Sequence, residues 1–253
     1  MTQQIAEYVD HMGNDTSVVN AARLSFGVKS KAYTDEQNKS LINFLAYGVS
    51  SKEIALIIKQ LIIGFDSTQN IDSEILARKF YDDLRQQDRH WTPFAHTAIS
   101  IKMKAPIPIR TQCFKHKTGL VENEESRRYI STTPEIFIPE FRAKPEGSIK
   151  QGSGGLHPDH KSIQDDYRRH CEEGINKYEN YIKRGVAPEQ ARLVLPQGTM
   201  VNWLWTGNLL AFANFYNKRS DSHAQTEIQE LAELVRKVVE PLFPVSWNAL
   251  TRE

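Results

Sequence analysis

One short stretch does most to decide what this chain can fold into. Ile99, Ile101 and Met103 alternate with Ser100, Lys102 and Lys104, the period of two that marks a strand with one buried face. Pro106 and Pro108 end it, and Pro108 can sit in the first turn of a short helix running to about Lys115. A second extended stretch is expected near 136–139. Elsewhere apolar residues recur every three or four positions, the helical period. Ile42, Leu45, Ile54, Ile57 and Leu61 predict helices through 35–63, interrupted near Gly48, and Ser73-Glu74 opens another over 73–88. Ile163, Tyr167, Cys171, Ile175, Tyr178 and Ile182 predict a long helix over about 162–184 with Gly185 as its C-terminal cap. Pro188 starts a short helix that ends before Pro196. Residues 199–219 read as a largely apolar helix, and Ile228, Leu231, Leu234, Val235 and Val238 share one face of a last helix over about 223–240. Helices outnumber strands and do not alternate regularly with them. That argues for an α+β fold and against a doubly wound parallel sheet. Residues 143–161, rich in Gly, Pro, Ser and Lys, read as a flexible loop. The segments flanking it look mutually dependent, so a single domain over 1–253 is expected.

Composition narrows the partners. Thirty-two basic residues stand against 31 acidic ones, a net charge of +1. Nothing global points to nucleic acid, and any phosphate recognition must be local. The N-terminal residues lack the blocks of a signal peptide, and no 18-residue apolar run suggests a membrane span. With only Cys113 and Cys171, a reducing cytoplasm fits better than a disulfide framework. The Asn38-Lys39-Ser40 match to a glycosylation site therefore carries no weight.

Three polar clusters stand out. The first runs from Gln112 through Lys115-His116-Lys117 to Glu122-Asn123-Glu124-Glu125-Ser126-Arg127-Arg128-Tyr129. Two positive groups flank an acidic, hydroxyl-bearing turn: lysine as a point charge and arginine as a bidentate fork suit phosphate or carboxylate. The same run also reads as a solvated charged loop. In the second, Asn208, Asn214, Asn217 and Arg219 interrupt an apolar segment carrying Trp203, Trp205, Phe212 and Phe215. Polar groups in such surroundings need partners. Arg219 either satisfies helix-terminal carbonyls or reaches a ligand, and Asp221 or Ser222 is placed to cap the next helix. The third is His90-Trp-Thr92-Pro-Phe-Ala-His96. Its two histidines find no Cys, Asp or Glu that completes a metal set, so no metal is expected.

Neither G-x-G-x-x-G nor G-x-x-x-x-G-K-[ST] occurs, and there is no G-x-S-x-G elbow. Any nucleotide or flavin must be held by another geometry. Cys113 has Lys115 and His116 nearby as potential activators. Its apolar neighbour Phe114 and its helical position instead favour a buried structural thiol.

Taken together, these segments resemble the flavin-dependent thymidylate synthase family. That family's signature is similar to R-H-R, a short spacer, then N-E-x-S-x-R-Y. Here it stands as Lys115-His116-Lys117 and Asn123-Glu124-Glu125-Ser126-Arg127-Arg128-Tyr129. Four further segments agree in order: Ala22 to Phe26, His90 to His96, Ala191 to Pro196, and Asn217 through Ile228. The resemblance implies a mainly helical α+β homotetramer with a small antiparallel sheet and active sites built at subunit interfaces. It also implies reductive methylation of dUMP to dTMP, with FAD as cofactor and NADPH and 5,10-methylenetetrahydrofolate as co-substrates. The implied dUMP contacts are Gln112, Lys115, Glu124, Ser126, Arg127, Arg128, Arg192 and Arg219. The implied flavin contacts are Ser25, His90, Thr92, Lys115, His116, Lys117, Glu124, Asn208, Asn214 and His223. The implied catalytic group is Arg219, at the pyrimidine edge, where it favours ionisation at N3.

Several positions depart from the family pattern. Lys115 and Lys117 stand where arginine is usual, the His116 to Asn123 spacer is one residue longer, and Arg127 replaces a usual glycine. Leu210 and Ala95 stand where an arginine and a glutamate are common, and the region around 47–88 is expanded. Such divergence would suit a viral or otherwise specialised enzyme, cytoplasmic in either case and in the host cytoplasm if viral. The altered spacer and Arg127 also motivate an alternative, hydroxymethylation of a pyrimidine nucleotide by a relative using the same cofactors.

Overall fold

The structure is a computed structural model, and it describes residues 3–25, 27, 34–48, 59, 90–145 and 153–251. The helix expected over 73–88, and the part of the 35–63 prediction beyond Gly48 apart from Lys59, lie outside the described residues. So do residues 146–152 of the expected loop. The chain divides into two compact units, each drawn from three separate stretches: residues 1–10, 99–207 and 215–238 form the first, and 11–98, 208–214 and 239–253 the second.

The first unit is organised by a four-stranded sheet in the order β1-β2-β4-β3, where β1 is Ile5–Met12, β2 Ala98–Pro106, β3 Leu120–Glu124 and β4 Met200–Gly207. Antiparallel β2 and β4 pair Ile101 with Trp205 and Met103 with Trp203. The period of two read in β2 is observed: Ile99, Ile101, Met103 and Ala105 are wholly buried. The expectation of a helix throughout 199–219 is overturned in its first half. There Val201, Trp203 and Trp205 are buried while Asn202, Leu204 and Thr206 face outward, and β-branched and aromatic residues suit a pleated, half-buried surface. Leu204, apolar but 42% exposed, hid that alternation. Burying each of the two tryptophans is worth about 4–6 kcal/mol as an upper bound. The strand runs edge to edge with β3. A Cβ at Gly207 would lie 2.5 Å from the Gly119 carbonyl oxygen and from Leu120 Cδ2, so only glycine lets the two backbones approach this closely.

Helices make up much of the rest of this unit, with irregular backbone over 125–145. Ile107–Cys113 follows β2 as Pro108 predicted, and His160–Lys183 is the long amphipathic helix, closed by Gly185 at φ +80°. Pro188–Ala191 passes into a 3-10 turn at Arg192–Val194. Thr226–Val239 buries Ile228, Leu231 and Val235. The extended stretch expected at 136–139 is a single bridge, Ile136 to Thr199, rather than a strand. A second bridge, Arg142 to Leu156, closes the base of the 143–161 segment.

The second unit is helical. Asp15–Leu24 and Pro244–Thr251 pack on Asp35–Tyr47. Asn14 and Thr34 each close a capping box at the start of their helices. Asp15 accepts from the Val245 and Ser246 amides, both at 2.9 Å, and so satisfies the Pro244–Thr251 N-terminus. Asn208 does the same for the Leu209–Arg219 helix, taking the Ala211 N–H at 2.9 Å, while Thr97 Oγ1 accepts from the Leu209 N–H.

Candidate active site

The first unit brings the second half of the Leu209–Arg219 helix against the end of Ile107–Cys113. Phe215 meets Trp205 edge to face, with ring centroids 4.9 Å apart, and His116 packs edge-on against Phe215 at 5.1 Å. That aromatic floor holds the imidazole where Arg219 Nε donates to His116 Nε2 at 2.9 Å. Arg219 Nη2 reaches the Gln112 carbonyl at 3.4 Å, so the arginine does satisfy a helix-terminal carbonyl, one of the two roles its position allowed. Burial first, and then the Arg219 and Lys218 charges, lower the His116 pKa to about 4. The ring is therefore neutral at physiological pH. Accepting through Nε2 places its proton on Nδ1. Among the described residues no carboxylate lies within ion-pair reach of Arg219, so its charge is held by neutral acceptors. Gln112 meanwhile donates from its side chain to Gln225 Oε1 at 2.8 Å.

A second group of cations gathers around Glu189. Arg128 Nε donates to Glu189 Oε2 at 2.9 Å, and Arg192 Nε to the Glu189 carbonyl at 3.1 Å. Ser126 Oγ accepts the Arg128 amide at 3.3 Å. The exposed Arg128 guanidinium and the Ser126 turn make a setting open to a phosphate. Arg127 is directed elsewhere: its Nη1 donates to the Thr132 carbonyl at 2.7 Å, and its guanidinium lies over the Tyr178 ring. Glu124 stands beside Arg110 and within the field of Arg192. Burial raises its pKa, against the opposing pull of Arg110 and Arg192. Arg110 Nε comes within 2.9 Å of Glu124 Oε2 but is not aligned as a hydrogen bond.

The other residues named from sequence are less engaged. Lys115 is exposed, Lys117 is paired with Glu122, and exposed His223 turns back on Asp221 at 2.9 Å. Asp221 caps this local turn through the His223 amide, not the next helix, which begins at Thr226. The remaining implied flavin contacts belong to the second unit. His90 stacks on Phe44 at 5.4 Å, Asn208 is committed to its cap, and Ser25, Thr92 and Asn214 are exposed. Burial pushes the Cys113 thiol far above its ordinary range, although the Arg219 charge opposes it. Sequence reasoning passed over Arg110, Glu189 and Gln225. Each is a polar residue in an ordinary helical or turn context, and only the folded chain shows what it faces.

An antiparallel sheet with helices around it, carrying guanidinium, imidazole and carboxylate groups, defines an α+β protein with side chains suited to an anion. Residues 7–245 match the family described as thymidylate synthase complementing protein. A flavin-dependent thymidylate synthase from Kosmotoga olearia is 31% identical over 95% of this chain and 87% of its own length. One from Thermosipho melanesiensis is 28% identical over 96% and 89%. The chain belongs to the flavin-dependent thymidylate synthase family. Among solved structures, the UMP/dUMP methylase PolB from Streptomyces cacaoi bound with 5-Br dUMP covers 99% of this chain and 96% of its own, with a TM-score of 0.76 and 24% identity. The same methylase bound with 5-Br UMP gives 0.73 and 25%.

Proposed function

We propose that this chain methylates dUMP to dTMP reductively, with FAD as cofactor and NADPH and 5,10-methylenetetrahydrofolate as co-substrates. The observation that carries this reading is Arg219, a guanidinium fixed by His116 and the Gln112 carbonyl, with no carboxylate paired to it among the described residues. Uracil C5 is a poor nucleophile until negative charge is pushed into the ring. A fixed cation at the pyrimidine edge stabilises that charge, and a preorganised contact of this kind is worth about 3–4 kcal/mol. Arg128, Arg192 and Ser126 take the monophosphate, exchanging contacts with Glu189 for contacts with the ligand. Gln112, Lys115, Glu124 and Arg127 complete the nucleotide set.

The residues assigned to flavin fit it chemically. Lys115 is an exposed ammonium suited to a pyrophosphate, and His116 presents a neutral N–H donor. Ser25, His90, Thr92, Lys117, Glu124, Asn208, Asn214 and His223 complete the assignment. When bound, the flavin supplies a hydride and the folate a one-carbon unit. The protein's own part is to orient the base, hold its developing charge and keep the His116 proton on Nδ1.

The same reading takes the chain as one domain, since each compact unit is assembled from three stretches and neither can be excised whole. It places the protein as a homotetramer in the cytoplasm. Among the described residues no helix is long and apolar enough to cross a membrane, and both cysteines are free and buried.

The test is product analysis by mass spectrometry after incubation with dUMP, FAD, NADPH and methylenetetrahydrofolate. A dTMP product is expected, and a hydroxymethylated nucleotide would overturn the assignment. A parallel incubation with UMP addresses a second reading, ribonucleotide methylation, favoured by the likeness to a methylase named for both nucleotides.

A further inference from the structure

The segment that carries Ser126 and Arg128 has no regular secondary structure to hold it. Residues 125–133 leave β3 as irregular backbone, most of it exposed. The start is tied to the sheet twice: the Glu125 amide donates to the Asn202 carbonyl at 2.9 Å, and Asn202 Nδ2 donates to Glu125 Oε2 at 2.7 Å. The far end is tied to the long helix, where Thr133 Oγ1 donates to Glu179 Oε1. Between these ties the turn closes on itself, with the Tyr129 amide on the Ser126 carbonyl at 3.0 Å and the Arg128 amide on Ser126 Oγ. A surface turn closed only by its own hydrogen bonds opens easily.

Arg127 supplies the missing hold. The two neighbouring arginines diverge: Arg128 reaches Glu189, while Arg127 turns to the His160–Lys183 helix. There its Nη1 donates to the Thr132 carbonyl at 2.7 Å, joining the turn to its own exit strand of chain. Its guanidinium carbon lies 5.9 Å from the centre of the Tyr178 ring, within reach of a cation–π contact. Tyr178 is a firm base, wholly buried, and its hydroxyl donates to the Ile130 carbonyl at 3.3 Å. A planar guanidinium can donate in its plane while its face lies on a ring, so one side chain makes both contacts. Arg127 stands where the family pattern has glycine, which has no side chain to make either. The brace is a feature of this chain.

We propose that Arg127 is a positioning residue: it braces the turn over 126–130 against Tyr178, so that the Ser126 hydroxyl and the Arg128 side chain are set before the nucleotide arrives. This rests on the reading of Ser126 and Arg128 as monophosphate ligands. Arg127 then serves the nucleotide through the turn it holds, not through a contact of its own. An unbraced turn must be ordered at the moment of binding, a cost that weakens affinity and leaves the chemical step alone.

Hydrogen exchange of the full chain, read by mass spectrometry in peptides covering 126–133, tests the brace without substrate. In Arg127→Gln, exchange there should quicken about tenfold, the value of a charge-assisted hydrogen bond, while peptides from β2 and β4 exchange as before. Saturating dUMP should slow it again. The KM for dUMP should rise by a similar factor, with kcat kept within about twofold, as lost preorganisation requires. Tyr178→Phe, which removes only the hydroxyl bond to Ile130, should move exchange and KM the same way by a smaller factor. Unchanged exchange over 126–133 in Arg127→Gln overturns the proposal, and a raised KM beside it would mark a direct contact with the nucleotide instead. A loss of kcat at unchanged KM overturns it as well. Failure of the native chain to form dTMP would count against the functional reading alone, because the exchange comparison decides the brace with no substrate present.

Discussion

The two arginine groups of the first unit use the same side chain in opposite ways. Arg219 is held by a neutral imidazole and a backbone carbonyl, so among the described residues its positive charge is fixed in place without a carboxylate to balance it. Arg128 meets a carboxylate, Glu189, at a position where both partners are about half exposed, and Arg192 leans on the backbone of that same residue. A cation held by neutral acceptors keeps its field for whatever charge develops beside it. One paired with an exposed carboxylate must exchange that partner to take a ligand. The first arrangement suits stabilisation of a transient anion, and the second suits reversible capture of a permanent one.

Removing the two kinds of cation should separate them most sharply. Arg219→Ala is expected to lower kcat by about 10² to 10³, as loss of a preorganised charge contact does, while flavin binding followed by absorbance changes little. Near-normal turnover would remove Arg219 from the catalytic role. Arg192→Ala should instead raise the KM for dUMP by about tenfold with kcat largely kept, the signature of lost uniform binding. Glu189→Gln sharpens the contrast, because it deletes the competitor for Arg128. It should lower that KM a few-fold, by roughly the 0.2–1 kcal/mol of an exposed ion pair. A KM that rises in Glu189→Gln would mean that Glu189 organises the arginines rather than competing for them.

The neutral partner gives a prediction in pH. His116 titrates near 4 in the folded chain against an ordinary value of 6.5. Between those values the unfolded chain binds more protons than the folded one, so stability falls as pH drops through that window and this contribution levels off below about 4. His116→Gln keeps an acceptor for Arg219 but has no titrating ring. Urea midpoints measured at pH 7, 5.5 and 4.5 should therefore fall less steeply in the variant. Parallel curves would show that His116 is not held neutral by its site.

Much of this contrast was within reach of the sequence, but unevenly. The period of two in β2 and the three-to-four spacing of His160–Lys183 survive folding because each pattern meets a single burying surface. Strand β4 reads as helix in the sequence because Leu204 breaks the alternation on the open face, so eight residues with four buried positions look largely apolar. Arg219, His116 and Gln112 were legible as polar residues set among apolar ones. Their mutual geometry was not, since 103 positions separate Arg219 from His116 and only the antiparallel sheet and its helices bring them together. Glu189 left no local signal at all. Its role depends on Arg128, 61 positions earlier.

The smallest expected effect concerns Cys113, which shares its surroundings with Arg219. The nearby guanidinium pulls its thiol toward ionisation, but burial is the larger influence and pushes it far the other way. A thiol so placed stays protonated at neutral pH and cannot act as a thiolate nucleophile. Its contribution is packing: it is fully buried in the last turn of Ile107–Cys113, the helix that presents Gln112 to Arg219. Cys113→Ala should therefore change turnover by no more than about twofold and cost about 1 kcal/mol in stability through the small space it leaves. Cys113→Ser should cost more stability, because it buries a hydroxyl where the thiol was content without a strong partner. Turnover and urea midpoints of both variants measure this directly. A collapse of kcat in Cys113→Ala, with stability kept, would transfer to the thiol the chemistry assigned to the uncompensated guanidinium beside it.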